Sequence, residues 1–187
     1  VSPKIRKTIL ATTCSLLLVS FVAFAAGEAG QYQTRAEFLV ESFGTDTPAN
    51  AVVWIDDELR AAAMEILGHP PAYLRMRYWY DGARTAWIID EIGKDLAITF
   101  GVVIENQEIQ FLRVMQFRES RGWEIRYPFF TRQFSQLRLS DTSSLSHGID
   151  GISGATLSVK AATRSATFAL VLDEYTKRTR QTPDTTP

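Results

Sequence analysis

From Tyr73 to Phe117 the sequence leaves little choice but a sheet. Tyr73 to Tyr80 and Arg84 to Asp90, both rich in residues that favour strands, flank Asp81-Gly82, a strong short hairpin signal because glycine supplies the positive φ of a tight turn. Leu96 to Ile104 and Ile109 to Phe117 repeat the arrangement, with Glu105-Asn106-Gln107-Glu108 as a polar turn. Strands joined in succession by turns this short pair antiparallel, since a parallel pair needs a crossover of about a dozen residues or more.

Two segments carry helical spacing. Between Val52 and Leu67, Ile55, Leu59, Ala62, Ala63 and Ile66 recur at three and four residues, behind Asp56, Asp57 and Glu58 and ahead of a Gly68-His69-Pro70-Pro71 stop. Here His69 is expected to meet free carbonyls at the helix end. From Leu157 to Lys177, Val159, Ala162, Ala166, Ala169 and Leu170 define the second. Phe38 to Phe43 is a short apolar stretch, and residues 118–148 read as loop-rich. The expected fold is α+β, a twisted antiparallel sheet packed against two or more helices, and 187 residues suit a single domain. Its expected divisions are 1–25 as a leader or membrane anchor, 26–48 as an approach, 49–177 as the domain and 178–187 as a polar disordered tail.

Lys4, Arg6 and Lys7 precede an uncharged run from Ile9 to Ala26 that ends in Ala23-Phe24-Ala25, a small-x-small pattern suited to signal peptidase. The reading is an extracytoplasmic, periplasmic protein, either cleaved near Ala25 and soluble or retained by an N-terminal anchor. Without those three cations the formal charge moves from −1 to −4. No later Lys/Arg cluster suits phosphate counterion release, which sets nucleic-acid binding aside. The sole cysteine, Cys14, lies in the leader, so the remaining chain has no thiolate for a disulfide, an iron–sulfur cluster or a haem attachment. With only His69 and His147, no metal site is expected. Redox chemistry here would need an organic cofactor.

Asp150-Gly151-Ile152-Ser153-Gly154-Ala155-Thr156 stands directly before the last helix. A helix start carries unpaired N–H groups and the positive end of the dipole, and so favours an anion. Gly154 and Ala155 let a bulky ligand approach the backbone, and Thr156 places a hydroxyl at the mouth, free to hydrogen-bond a phosphate or to be joined to it. Asp150 is suited to hold the turn by accepting N–H bonds two or three residues on. The plain alternative is that Ser153 or Thr156 merely caps the helix. No Walker A loop or dinucleotide fingerprint is present. A hydrolase elbow is disfavoured because no histidine follows the serine in the chain.

D-G-I-S-G-A-T at 150–156 resembles D-x-x-S/T-G-A-T, the flavinylation motif of the FMN-binding domains in the FMN-carrying subunits of sodium-pumping NADH:quinone oxidoreductase and its ferredoxin-dependent relatives. Upstream, VVIENQEIQFLRVMQFRESRGWEIRYPFFTRQF is similar to the strand hairpin and following R-E-x-R-G and Q-F pattern of that family, so the likeness covers roughly residues 73–176. It implies FMN bound through a phosphoester to Thr156, installed by an FMN transferase that uses FAD and Mg²⁺. Ser153, Gly154 and Ala155 would shape the loop and Asp150 would be part of what the transferase recognises. Arg118, in the R-E-x-R-G run, would reach the flavin phosphate or ring, or else sit with Glu119 and Arg121 on a solvated turn. Among Trp79, Tyr80, Trp87, Trp123, Tyr127, Phe129 and Phe130, one or two would stack on the ring and the rest belong to the core.

The implied activity is that of an electron-transfer flavoprotein, between a membrane-associated redox partner and an extracytoplasmic acceptor, alone or as the redox subunit of a reductase. A domain that binds FMN without a bond, and a cofactor-free binding module, are the rival readings.

Overall fold

Asp81 folds the chain back on itself: its Oδ1 accepts the main-chain N–H groups of Ala83 and Arg84, at 3.2 and 2.8 Å, and Gly82 takes φ +95°. On either side run β2 (Arg75–Tyr80) and β3 (Arg84–Ile92). The second turn is tighter than its polar sequence announced. Asn106 and Gln107 both adopt positive φ, 53° and 65°, to join β4 (Ala97–Glu105) to β5 (Glu108–Gln116). The computed structural model describes residues 30–44 and 48–181, so the expected leader and the last residues of the expected tail lie outside them. No helix among the described residues is long and apolar enough to cross a membrane.

The sheet is open and antiparallel, with five strands in sequence order. Its first strand, β1 (Ala49–Trp54), corrects the expectation of a helix beginning at Val52. Val52 and Val53 pair with Arg77 and Met76, and the helix starts only after Asp56, whose carboxylate accepts the Leu59 N–H at 2.9 Å. That helix, α2, spans Asp57–Leu67 and closes on Gly68 at φ +81°. Another helix, α1 (Arg35–Phe43), occupies the approach and the short apolar stretch, started by a reciprocal cap between Thr34 and Glu37.

Helices cover both faces. On one, α2 and the 26-residue α4 (Thr156–Gln181) bury Leu59, Ala63, Ala162, Ala166 and Phe168 against Trp87, Phe100 and Leu112. Tyr78 stacks on Trp87 with ring centroids 4.7 Å apart. The other face is smaller, with Phe38 and Leu39 of α1 over Trp79, Ala86, Val103 and Met115. Gly101 makes room there, because a Cβ would run into the Phe38 ring. At roughly 25 cal/mol per Å² of buried apolar surface, these two layers supply the main force for folding.

The helix α4 continues past the expected end at Lys177 into the residues read as a tail. Arg180 donates to the Thr176 carbonyl at 3.1 Å and lies over Tyr80 at 4.9 Å, and Arg178 pairs with Glu58 of α2. His69 also departs from expectation: beyond the Pro70 carbonyl, its Nε2 meets the fully buried Glu91 carboxylate of β3 at 3.2 Å. Arg164 of α4 reaches the other Glu91 oxygen at 2.6 Å, so one buried carboxylate ties sheet, α2 end and α4 together.

Candidate functional site

The loop leading to α4 is anchored from below. Leu145, Ile149 and Ile152 rest partly buried against the main core, and Leu139 bridges to Leu145. Gln133 then fixes the start of the turn, its Oε1 accepting the Asp150 main-chain N–H at 2.7 Å. Gln133 is the middle residue of the 3₁₀ turn Arg132–Phe134, which follows a 3₁₀ turn at Trp123–Arg126 and the short helix α3 (Pro128–Thr131). The turn is therefore held by a glutamine side chain through Asp150's backbone. The exposed Asp150 carboxylate makes none of the N–H bonds expected of it.

Gly154 takes φ +81°, and a Cβ there or at Gly151 would meet nothing within 4 Å, so the space above the turn is open. Ala155 N–H bonds the Ile152 carbonyl at 2.9 Å, and the Ala155 carbonyl receives the Val159 N–H, also at 2.9 Å. Ala155 is thus the residue at the N-cap position, buried, with no side-chain oxygen to offer. Neither Ser153 nor Thr156 supplies one: among the described residues no side chain accepts the first-turn N–H groups of α4. Both lie exposed beside the opening. The simple capping role read as the alternative does not match this geometry, while an exposed hydroxyl next to bare N–H groups does suit a phosphate.

Thr156 opens a groove of about 460 Å³ floored by Ile149, Val159 and Thr163. Lys160 and Arg164 line it too, one and two turns along the same helix face. They are the cations that the sequence reading passed over; the signal was their spacing, Lys160 four residues after Thr156 and Arg164 four after Lys160. Lys160 is exposed, whereas Arg164 is held by Glu91 and the Ile92 carbonyl.

The R-E-x-R-G segment lies behind the turn rather than over it. Arg118 spends its guanidinium on the Ala97 carbonyl at 2.8 Å, Thr99 Oγ1 at 3.1 Å and Gln116 Oε1, and no contact joins it to Thr156. One Glu119 oxygen accepts three main-chain N–H groups, from Lys94, Asp95 and Leu96, at 2.6 to 2.8 Å. Partial burial pushes this carboxyl up, but the three donors, with the Lys94 charge, outweigh it and hold it below its ordinary value. Gly122, at φ +89°, is a packing glycine: a Cβ would strike Ser158 Oγ and approach Ala155, so only glycine lets the segment close against the first turn of α4. Of the aromatics, Trp79 and Trp87 are core, while Trp123, Tyr127 and Phe129 are exposed after Gly122, with Arg126 over the Trp123 and Tyr127 rings at 5.2 and 4.9 Å.

Fold and site together define an α+β domain whose long helix begins bare and open, beside a hydroxyl and a lysine, in a form suited to a phosphorylated ligand. Residues 93–171 match the family described as the FMN-binding domain, so that segment of the chain carries an FMN-binding domain. The matched segment contains β4, β5, Arg118 and the whole 150–156 turn. No curated protein matches the chain.

Proposed function

We propose that the domain holds FMN by a phosphoester to Thr156 Oγ1 and works as an exported electron carrier between a membrane-associated donor and an extracytoplasmic acceptor. The observation that carries this reading is Thr156 itself, exposed as the first residue of α4 and preceded by an alanine at the N-cap position. The first-turn N–H groups would bind the phosphate, Lys160 would balance its charge, and Gly154 would leave the backbone open to the ribityl side. When bound, FMN supplies a ring that accepts and releases electrons, and the protein governs its placement and exposure. A covalent bond suits the export reading, because a dissociable nucleotide would be lost in a dilute compartment. The leader-like segment, Lys4 to Ala26, supports export.

The bond is tested by co-expression with an FMN transferase that uses FAD and Mg²⁺. Intact mass should rise by one FMN less one water, and a fluorescent band should survive a denaturing gel. Thr156→Ala should abolish both while leaving the circular dichroism unchanged. An unchanged mass of the parent chain would exclude the ester, and yellow colour released on denaturation would assign a non-covalent FMN domain instead.

A further inference from the structure

The strands β2 and β3 pair only from Tyr78–Trp87 to Tyr80–Thr85, although β2 begins at Arg75 and β3 runs on to Ile92. Extending that register would set Arg77 opposite Ile88 and Arg75 opposite Asp90. Instead the strands part, and a cavity of about 860 Å³ opens between them, large enough for a small organic molecule. Next door, β3 pairs with β4 along its whole length, from Arg84 to Ile92. A ladder that stops between two interior strands leaves main-chain N–H and C=O groups on both facing edges without strand partners, an arrangement proteins rarely leave unserved.

The walls are apolar, with Met76, Ile88, Ile89 and Phe168. The rim is cationic. Arg35, Arg75 and Arg77 line it, and among the described residues Arg35 and Arg77 make no ion pair and no side-chain hydrogen bond. Arg75 only lies over Trp54, at 5.8 Å. The one carboxylate of the lining, Asp90, is already taken: Thr99 Oγ1 donates to it at 2.5 Å and Arg118 stands at 3.9 Å. His69, also in the lining, gives its Nε2 to Glu91. An apolar slot with unpaired arginines at its mouth complements a molecule that is apolar at one end and anionic at the other.

We propose that the cleft between β2 and β3 binds a small amphiphilic organic anion, an aromatic or otherwise apolar body carrying one carboxylate, sulfonate or phosphate group. The body enters between the parted strands and the anionic group meets Arg35 and Arg77. This site is separate from the groove of Thr156, and the inference does not depend on how FMN is held.

The test is calorimetric titration of the full chain with 8-anilinonaphthalene-1-sulfonate, and in parallel with N-phenyl-1-naphthylamine, which has the same rings and no charge. One saturable site is expected for the sulfonate. The double variant Arg35→Gln/Arg77→Gln, altered only at exposed side chains, should weaken the sulfonate about tenfold and the neutral amine less than about twofold. Ile88→Trp, which fills the cleft, should remove both, and Thr156→Ala should change neither. Absence of saturable binding, equal weakening of both ligands by the arginine changes, or binding unaffected by all variants would overturn the proposal. Displacement of the sulfonate on loading with FMN would give the cleft to the cofactor and overturn it equally.

Discussion

At the scale of single residues, Ala155 sets stability against use. Alanine is among the poorest residues for an N-cap, and replacing a capping serine by alanine typically costs about 1 kcal/mol. The first turn of α4 forgoes that gain and keeps its N–H groups bare, which is what an incoming phosphate needs. The reverse substitution measures the exchange. Ala155→Ser should raise unfolding stability in urea by about 1 kcal/mol and lower the fraction of chains that gain the FMN mass during co-expression. Greater stability with undiminished attachment would mean that the bare N–H groups take no part. Asp150 illustrates the opposite situation, a charged side chain that contributes its backbone rather than its carboxylate to the turn. If the transferase reads that free carboxylate, its exposure is explained without any structural duty.

At the scale of elements, Glu119 links the β3–β4 turn to the segment that closes on α4. Its carboxyl is held below the ordinary value of 4.5, so the stability it confers is fully present above that pH and is lost as the pH falls through the folded-state value. The stability difference between the parent chain and Glu119→Gln should therefore be largest near neutrality and shrink in acid. A difference constant from pH about 7 to 3 would refute this assignment. Legibility in the sequence also divides by element. The strands β2 to β5 and the start of α4 could be read because alternation, turn chemistry and helical spacing agree there. The strand β1 was hidden because Val52, Val53 and Ile55 satisfy either period over so short a run, and only pairing with Met76 and Arg77 decides between them. The end of α4 was hidden for a different reason. Its last turn is polar in sequence and is stabilised by partners far along the chain, Glu58, Tyr78 and Tyr80. The place of Thr156 at the start of α4 was legible because the motif stands directly before helical spacing, whereas the motif gives Arg118 a position but not the Ala97 carbonyl and Thr99 hydroxyl that hold it.

At the scale of the molecule, the parted ladder divides the sheet unequally. Within the sheet, the pair β1 and β2 joins the rest through only three residue pairs of β2 and β3, against nine between β3 and β4. Native-state hydrogen exchange should find Arg75 to Arg77 protected by a smaller opening energy than Ile98 to Ile104, and saturating anilinonaphthalenesulfonate should narrow the gap. Uniform protection across all five strands would argue that the sheet opens as one unit. The direction of α4 has a further consequence. Gly30 accepts the Phe117 N–H at 2.8 Å and Tyr32 lies under Arg126, so the described chain enters on the side where Trp123 and the start of α4 meet. From there 26 helical residues carry it roughly 39 Å to the opposite pole. The domain is thus polar like a lamp on a short stem: a tether at the entrance would hold the Thr156 end close to its support, and a reporter fused beyond Gln181 would hang clear of it.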